Sequence, residues 1–272
     1  MSRTVNLLDG NTIPAIGFGV YQIPDDITER TVSQAIEFGY RRIDTAAIYG
    51  NEGGVGRAIH TTSVPRSELF VTTKLWNDEQ GYDSTLRAFE KSLATLELDY
   101  VDMYLIHWPL AKERKFVDTF RAFQKLKADG LIRSIGVSNF TRAHLEELIT
   151  ETGEVPVVNQ IELHPRLAQN EQRQFHASHG IVTEAWGPLG QGSTLTIPEI
   201  MDTASELGKT PAQVVLRWHL QRGTIAIPKS TTPQRIESNL DVFGFELSES
   251  RMAQIDALDN GDRLGADPDV MW

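Results

Sequence analysis

From Ile16 onward, short apolar runs alternate with longer stretches whose apolar residues recur at helical spacing. Eight runs read as strands: 16–20, 42–44, 69–74, 101–107, 132–138, 157–162, 181–185 and 224–228. They are short, rich in β-branched residues and bounded by polar or turn-forming ones. Between two of them, Thr119, Phe120, Phe123 and Leu126 keep helical spacing up to Gly130, which sits where a helix stops. Ahead of the first run, Asp9-Gly10 separates two extended pieces, and such a pair predicts a hairpin because its turn needs positive φ. Strand and helix in alternation imply a parallel sheet, and eight repeats predict an α/β fold of the (β/α)8 TIM-barrel type. Further helices are expected at 198–207, before one that begins near Pro211, and at 233–241 and 248–258. The fold class is therefore a (β/α)8 TIM barrel with an N-terminal β-hairpin and extra C-terminal helices, closed by a polar tail that ends in Trp272.

Composition narrows the function more than the fold. At 272 residues with 40% apolar side chains, the chain suits a single barrel domain over 1–272, without linker or low-complexity tract. It has no cysteine, which excludes disulfides, thiol nucleophiles, iron-sulfur clusters and thiolate zinc sites. No metal is expected, and redox chemistry would need a borrowed cofactor. No apolar run reaches 18 residues, and 1–10 lack the blocks of a signal peptide, so a cytoplasmic protein without a membrane partner is expected. The formal charge of -11 is opposite to a nucleic-acid footprint. A small-molecule substrate and a monomer are the expectation.

In such a barrel, polar residues at the C-terminal strand ends are candidates for chemistry. Asp44, Lys74, His107, Ser138, Asn139, Gln160, Glu162, Glu184 and Trp186 all fall there, with Lys229 and Ser230 just past the eighth strand. Each alone has a structural explanation, and their joint placement on one rim is what points to a site. Tyr49 follows Asp44 by five residues, in a loop that can turn its hydroxyl over the barrel mouth. A free phenol, with a pKa of about 10, is a poor acid at neutral pH. Lys74 on the neighbouring strand would favour the phenolate, Asp44 would hold Lys74 charged, and His107 could orient a carbonyl oxygen. That set protonates a developing alkoxide.

The hydride needs a cofactor, yet Gly17-Phe-Gly19 and Gly187-Pro-Leu-Gly190 both fail the full dinucleotide-binding fingerprint. Late loops and helix starts are the alternative phosphate site in a barrel. Lys229, Ser230 and Arg235 form a cationic, hydroxyl-bearing cluster suited to a 2′-phosphate, hence to NADPH (NADP+ after reaction) over NADH. Trp186 offers a flat face to a nicotinamide ring, and Ser138, Asn139 and Gln160 offer hydrogen bonds to its carboxamide.

The chain resembles the aldo-keto reductase family over nearly its whole length. The likeness rests on 39–56, which contains Asp44-Thr-Ala-Ala-Ile-Tyr49-Gly-Asn-Glu52, on Arg133-Ser-Ile-Gly-Val-Ser-Asn139-Phe140, and on Ile227-Pro-Lys229-Ser230 with Arg235 and Asn239. It implies a catalytic tetrad of Asp44, Tyr49, Lys74 and His107, and reduction of aldehydes, ketones or dicarbonyls with hydride from NADPH. Lys74-Leu-Trp76-Asn77, Asn159-Gln-Ile-Glu-Leu-His-Pro165 and Trp186-Gly-Pro-Leu-Gly-Gln-Gly192 are similar to bacterial 2,5-diketo-D-gluconate reductases. That likeness implies Trp186 against the nicotinamide and Gly187, Leu189 and Gln191 in a short loop over the pyrophosphate. It also adds Asn239 to the cofactor set. Tyr21, Trp76 and Trp108 should line the substrate pocket, with His107 at its base, and Trp272 could fold over it. Arg42 stands where a histidine is frequent, and Ser238 where many relatives have a glutamate near the adenine. A cofactor-binding regulatory subunit on the same fold, as in potassium-channel β-subunits, is the alternative, weakened by the intact tetrad. A Schiff-base lyase or isomerase using Lys74 would leave Asp44 and Tyr49 without a purpose.

Overall fold

A computed structural model describes residues 3–271. The hairpin pairs β1 (Thr4–Asn6) with β2 (Thr12–Pro14), in the register Thr4↔Pro14. Gly10 at its tip has φ +87, the left-handed conformation that made Asp9-Gly10 legible. Asn11 Nδ2 donates to Ser134 Oγ at 3.0 Å, which seats the hairpin on the N-terminal end of the barrel.

The barrel alternates β3 (Phe18–Gly19), α1 (Asp25–Glu37), β4 (Arg42–Asp44), α2 (Glu52–Thr61), β5 (Phe70–Leu75), α3 (Tyr82–Leu96), β6 (Val101–Ile106) and α4 (Phe116–Ala128). It continues with β7 (Ile132–Ser138), α5 (Arg142–Thr152), β8 (Val158–Glu162), α6 (Asn170–Ser178) and β9 (Val182–Trp186). Next come α7 (Pro198–Leu207), α8 (Pro211–Gln221), β10 (Ile225–Ala226), α9 (Pro233–Leu240) and α10 (Glu249–Asp256). All neighbours from β3 to β10 pair in parallel, in chain order. The sheet closes on itself, because Gly17 N donates to Ala226 O at 2.9 Å and Gly19 N to Pro228 O at 3.1 Å. The expected (β/α)8 barrel is the observed fold.

Every residue of β5 and of β6 is buried, as a parallel strand covered on both faces requires. Outside, α4 turns Phe116, Phe120, Phe123 and Leu126 inward, and Gly130, φ +80, follows just past its end. Truncating one of those buried phenylalanines would cost about 3–5 kcal/mol. Thr210 caps α8 through a reciprocal capping box with Gln213, and Pro211 fills the position where its missing N–H costs nothing. The first and eighth strands are shorter than the sequence suggests. Pro228 has no amide with which to extend the last one.

Candidate active site

Side chains two apart on a strand share a face, so Arg42 and Asp44 of β4 both point into the barrel. Asp44 lies in the uppermost polar layer and is shut off from solvent. Lys74, near the end of β5 and equally buried, donates to Asp44 Oδ1 at 2.5 Å and to Thr45 O at 3.0 Å. Gln160 of β8 donates to Asp44 Oδ2 at 2.9 Å, so both carboxylate oxygens are engaged.

Tyr49 ends a single 3₁₀ turn that starts at Ala47. Gly50 follows with φ +67, which closes the turn. Asn51 fixes this loop from below: it accepts from Thr45 Oγ1 at 2.8 Å and donates to Val20 O and Ile23 O, each at 2.9 Å. The Lys74 ammonium thus lies 5.2 Å from the centre of the Tyr49 ring. The His107 ring meets Tyr49 edge-on at 5.7 Å between centres, and Trp76 meets His107 at 5.2 Å. Tyr21, more than half exposed, flanks Tyr49 at 5.0 Å. Tyr49, Asp44, Lys74, His107, Tyr21 and Trp76 therefore converge. Trp108 is buried, and its carbonyl accepts from Gln80 Nε2 at 2.7 Å.

Burial works against the charge on Lys74, but Asp44, then Tyr49 and Glu184, outweigh it and hold its pKa above the ordinary value. The ammonium is therefore kept. For Tyr49 burial is the larger influence and pushes the phenol pKa up, while Lys74 pulls it down. The sequence suggested a net lowering. The lysine's pull is present, yet desolvation exceeds it, because withdrawing a phenolate from water costs more than one cation returns at this separation. Burial, then Lys74, pushes His107 well below the usual imidazole range, so the ring is neutral at physiological pH.

On the other side of the mouth, Ser138 Oγ donates to Gln160 O at 2.8 Å. Asn139, φ +64, holds a left-handed conformation that asparagine tolerates better than most residues. Its Nδ2 donates to His107 O at 2.9 Å, and its Oδ1 accepts from Trp186 Nε1 at 2.7 Å. Gly187, φ +58, has open space where a side chain would stand, Leu189 is half-buried, and Gln191 is exposed with φ +52. Past β10, Lys229 and Arg235 are exposed and make no ion pair among the described residues. Ser230 Oγ accepts from Thr232 N at 3.1 Å, and Asn239 is buried in α9.

The course of the C-terminal tail is set by long-range contacts. Glu162, at the end of β8, accepts from Leu264 N at 2.6 Å, Gly265 N at 2.9 Å and His164 Nε2 at 3.0 Å. Those bonds lay Gly265 against the Trp186 indole so closely that a Cβ there would overlap it. Trp272, for which both a fold over the pocket and an untethered end were open, lies outside the described residues. The role of Asn51 was also missed. Its signal was its place in Tyr49-Gly50-Asn51-Glu52, which the likeness attached to chemistry rather than support.

A barrel whose mouth gathers Tyr49, Lys74, Asp44 and His107 has the architecture of a carbonyl-reducing oxidoreductase. The profile of the Aldo/keto reductase family matches residues 15–260, and the chain belongs to that family. It is 59% identical over 264 residues to an aldo-keto reductase of Mycobacterium sp. (strain KMS), covering 97% of this chain and 96% of that one. It is 52% identical over 272 residues to the methylglyoxal reductase DkgA of Yersinia pestis, covering 99% and 98%. Among solved structures, a Gox0644 mutant in complex with NADPH superposes with a TM-score of 0.96 at 49% identity, covering 100% of this chain and 99% of that one.

Proposed function

We propose that this chain acts as a single-domain, NADPH-dependent reductase of small aldehydes, ketones and dicarbonyls, with Tyr49 as proton donor. The observation that carries this reading is the buried Asp44–Lys74 pair set beneath the Tyr49 ring and beside a neutral His107. The named likeness to a methylglyoxal reductase and to a structure that holds NADPH supports the substrate class and the cofactor.

The residues present suit the dinucleotide. Lys229 and Arg235 are cations without an ion pair among the described residues, in a chain of net charge -11, as a 2′-phosphate site needs. Gly187 leaves bare backbone beside Trp186, where a pyrophosphate can approach. Ser138, Asn139 and Gln160 would hold the carboxamide and Trp186 the ring face, with Leu189, Gln191, Ser230 and Asn239 completing the contacts. When bound, NADPH would supply the hydride for the carbonyl carbon, being oxidised to NADP+. Neutral His107 donates a hydrogen bond that aims the carbonyl oxygen at Tyr49. The Tyr49 hydroxyl gives its proton to that oxygen as negative charge builds on it, and Lys74 stabilises the phenolate left behind. Asp44 keeps Lys74 charged and in place. Tyr21, Trp76 and Trp108 form the aromatic wall, which excludes water and admits many small carbonyls.

The test is to mix the protein with NADPH and methylglyoxal and follow the reduced-nicotinamide absorbance. Consumption that depends on the dicarbonyl is the expected result, and none across a panel of aldehydes, ketones and dicarbonyls would overturn the reading.

A further inference from the structure

Directly below the Asp44–Lys74 pair lies a second pair of opposite charges that the reaction does not use. Arg42 Nη2 donates to Glu184 Oε1 across the barrel, and both side chains are closed to solvent. Arg42 is held from a second side, since its Nη1 donates to Pro14 O at 2.8 Å. Gly17 is where it is because any Cβ there would overlap the guanidinium. This layer is coupled to the one above through the backbone and through one amide. Arg42 is two residues before Asp44 on β4, and Glu184 is the Cα partner of Gln160, whose side chain donates to Asp44 Oδ2. Among the described residues, Arg42 Nε and Glu184 Oε2 have no partner at hydrogen-bond distance.

A packing role alone fits this poorly. Taking two charges out of water costs several kcal/mol each, and apolar residues of like volume often serve as well or better. What a buried pair offers that an apolar pair does not is a field, felt strongly where water does not screen it. We propose that Arg42 and Glu184 are positioning residues for the site above them, a charge-balanced layer that sets the pH up to which Tyr49 remains a proton donor. The inference rests on the reading of Tyr49 as the acid.

The charged and titratable groups around Tyr49 and Lys74 are Asp44 from β4, Glu184 from β9, His107 from the loop after β6, and Tyr21, with Arg42 one step further away behind its ion pair with Glu184. Asp44 raises the proton affinity of Tyr49 and, with Glu184, that of Lys74, and Arg42, ion-paired with Glu184, offsets part of that carboxylate's charge. Either partner removed alone leaves an uncancelled charge, of opposite sign in the two cases. At an effective dielectric constant of about 20 and a distance of roughly 10 Å, one such charge moves a titration by about one pH unit.

The experiment is the alkaline limb of the pH profile of kcat/KM for carbonyl reduction at saturating NADPH. In Glu184→Gln the uncancelled cation favours the phenolate, and the limb moves to lower pH by about one unit. In Arg42→Met the uncancelled carboxylate disfavours it, and the limb moves up by a similar amount. The double variant brings the limb back to its original place, and Arg42→Lys, which keeps the charge, leaves it there. Mere loss of packing would lower activity in both single variants without moving their limbs in opposite directions. Should Arg42→Met not fold, Glu184→Gln against the double variant carries the same comparison. Limbs that stay put, or shift the same way, in a protein whose Tyr49→Phe variant is inactive would overturn this inference alone. An active Tyr49→Phe would instead overturn the assignment of the acid.

Discussion

Lys74 Nζ lies 2.5 Å from Asp44 Oδ1, with both side chains cut off from solvent. Removing one partner of such a pair leaves a buried charge unanswered, which costs about 3–5 kcal/mol. Lys74→Met should therefore lower stability by that amount, read from the denaturant midpoint, and lower kcat as well. A variant with unchanged midpoint and turnover would mean that the pair is idle.

Arg235→Ala tests the proposed 2′-phosphate contact. A lost hydrogen bond to a charged group is worth about 1.5–3 kcal/mol, or roughly 10- to 100-fold in affinity. The loss should appear for NADPH and be nearly absent for NADH. Equal losses for the two cofactors would remove Arg235 from that site.

Gly265→Ala tests the tail. The added methyl would overlap the Trp186 indole, while the Glu162 carboxylate keeps the Leu264 and Gly265 amides in place. The indole must yield, so NADPH should bind at least about tenfold more weakly, a loss of about 1.4 kcal/mol. Quenching of tryptophan fluorescence by NADPH measures this directly, and an unchanged dissociation constant would show that the indole pose has no part in binding.

His176 is buried between α6 and β9, where Nε2 accepts from Asn159 and Gln172 amides and Nδ1 faces Thr183 Oγ1 at 2.8 Å. Burial, then Arg173 and His179, lowers its pKa to about 3. The unfolded chain takes up this proton near pH 6.5 and the folded one does not. Its contribution is thus whole above pH 6.5 and is lost as pH falls toward 3, by about 1.4 kcal/mol per pH unit. His176→Gln should flatten the fall in stability between pH 6 and 5 by that slope, measured by urea unfolding. An identical slope in the variant would show that the site is already protonated when folded.

Most of the barrel and of its mouth could be read before any coordinates, since the strands are short apolar runs and the polar residues interrupt them at one end. The helix at Pro198–Leu207 was bounded correctly by its own proline and the glycine that follows. Illegible features depend on closure. Arg42 and Glu184 are 142 residues apart, and Glu162 and Leu264 are 102 apart, with no periodicity that links them. Arg42 had seemed a mere departure from the family until the barrel brought a carboxylate to it. The balance at Tyr49 was hidden for the same reason: spacing shows which cation is near, whereas the extent of desolvation is known only from packing.

The most direct test of the whole account is turnover of Tyr49→Phe with NADPH and methylglyoxal, together with its NADPH dissociation constant. A positioned proton donor is worth about 10²- to 10⁴-fold in rate. The account predicts a loss of that size in kcat with NADPH affinity nearly unchanged, because the ring and its packing remain and only the proton is gone. Near-wild-type turnover in the phenylalanine variant would contradict it.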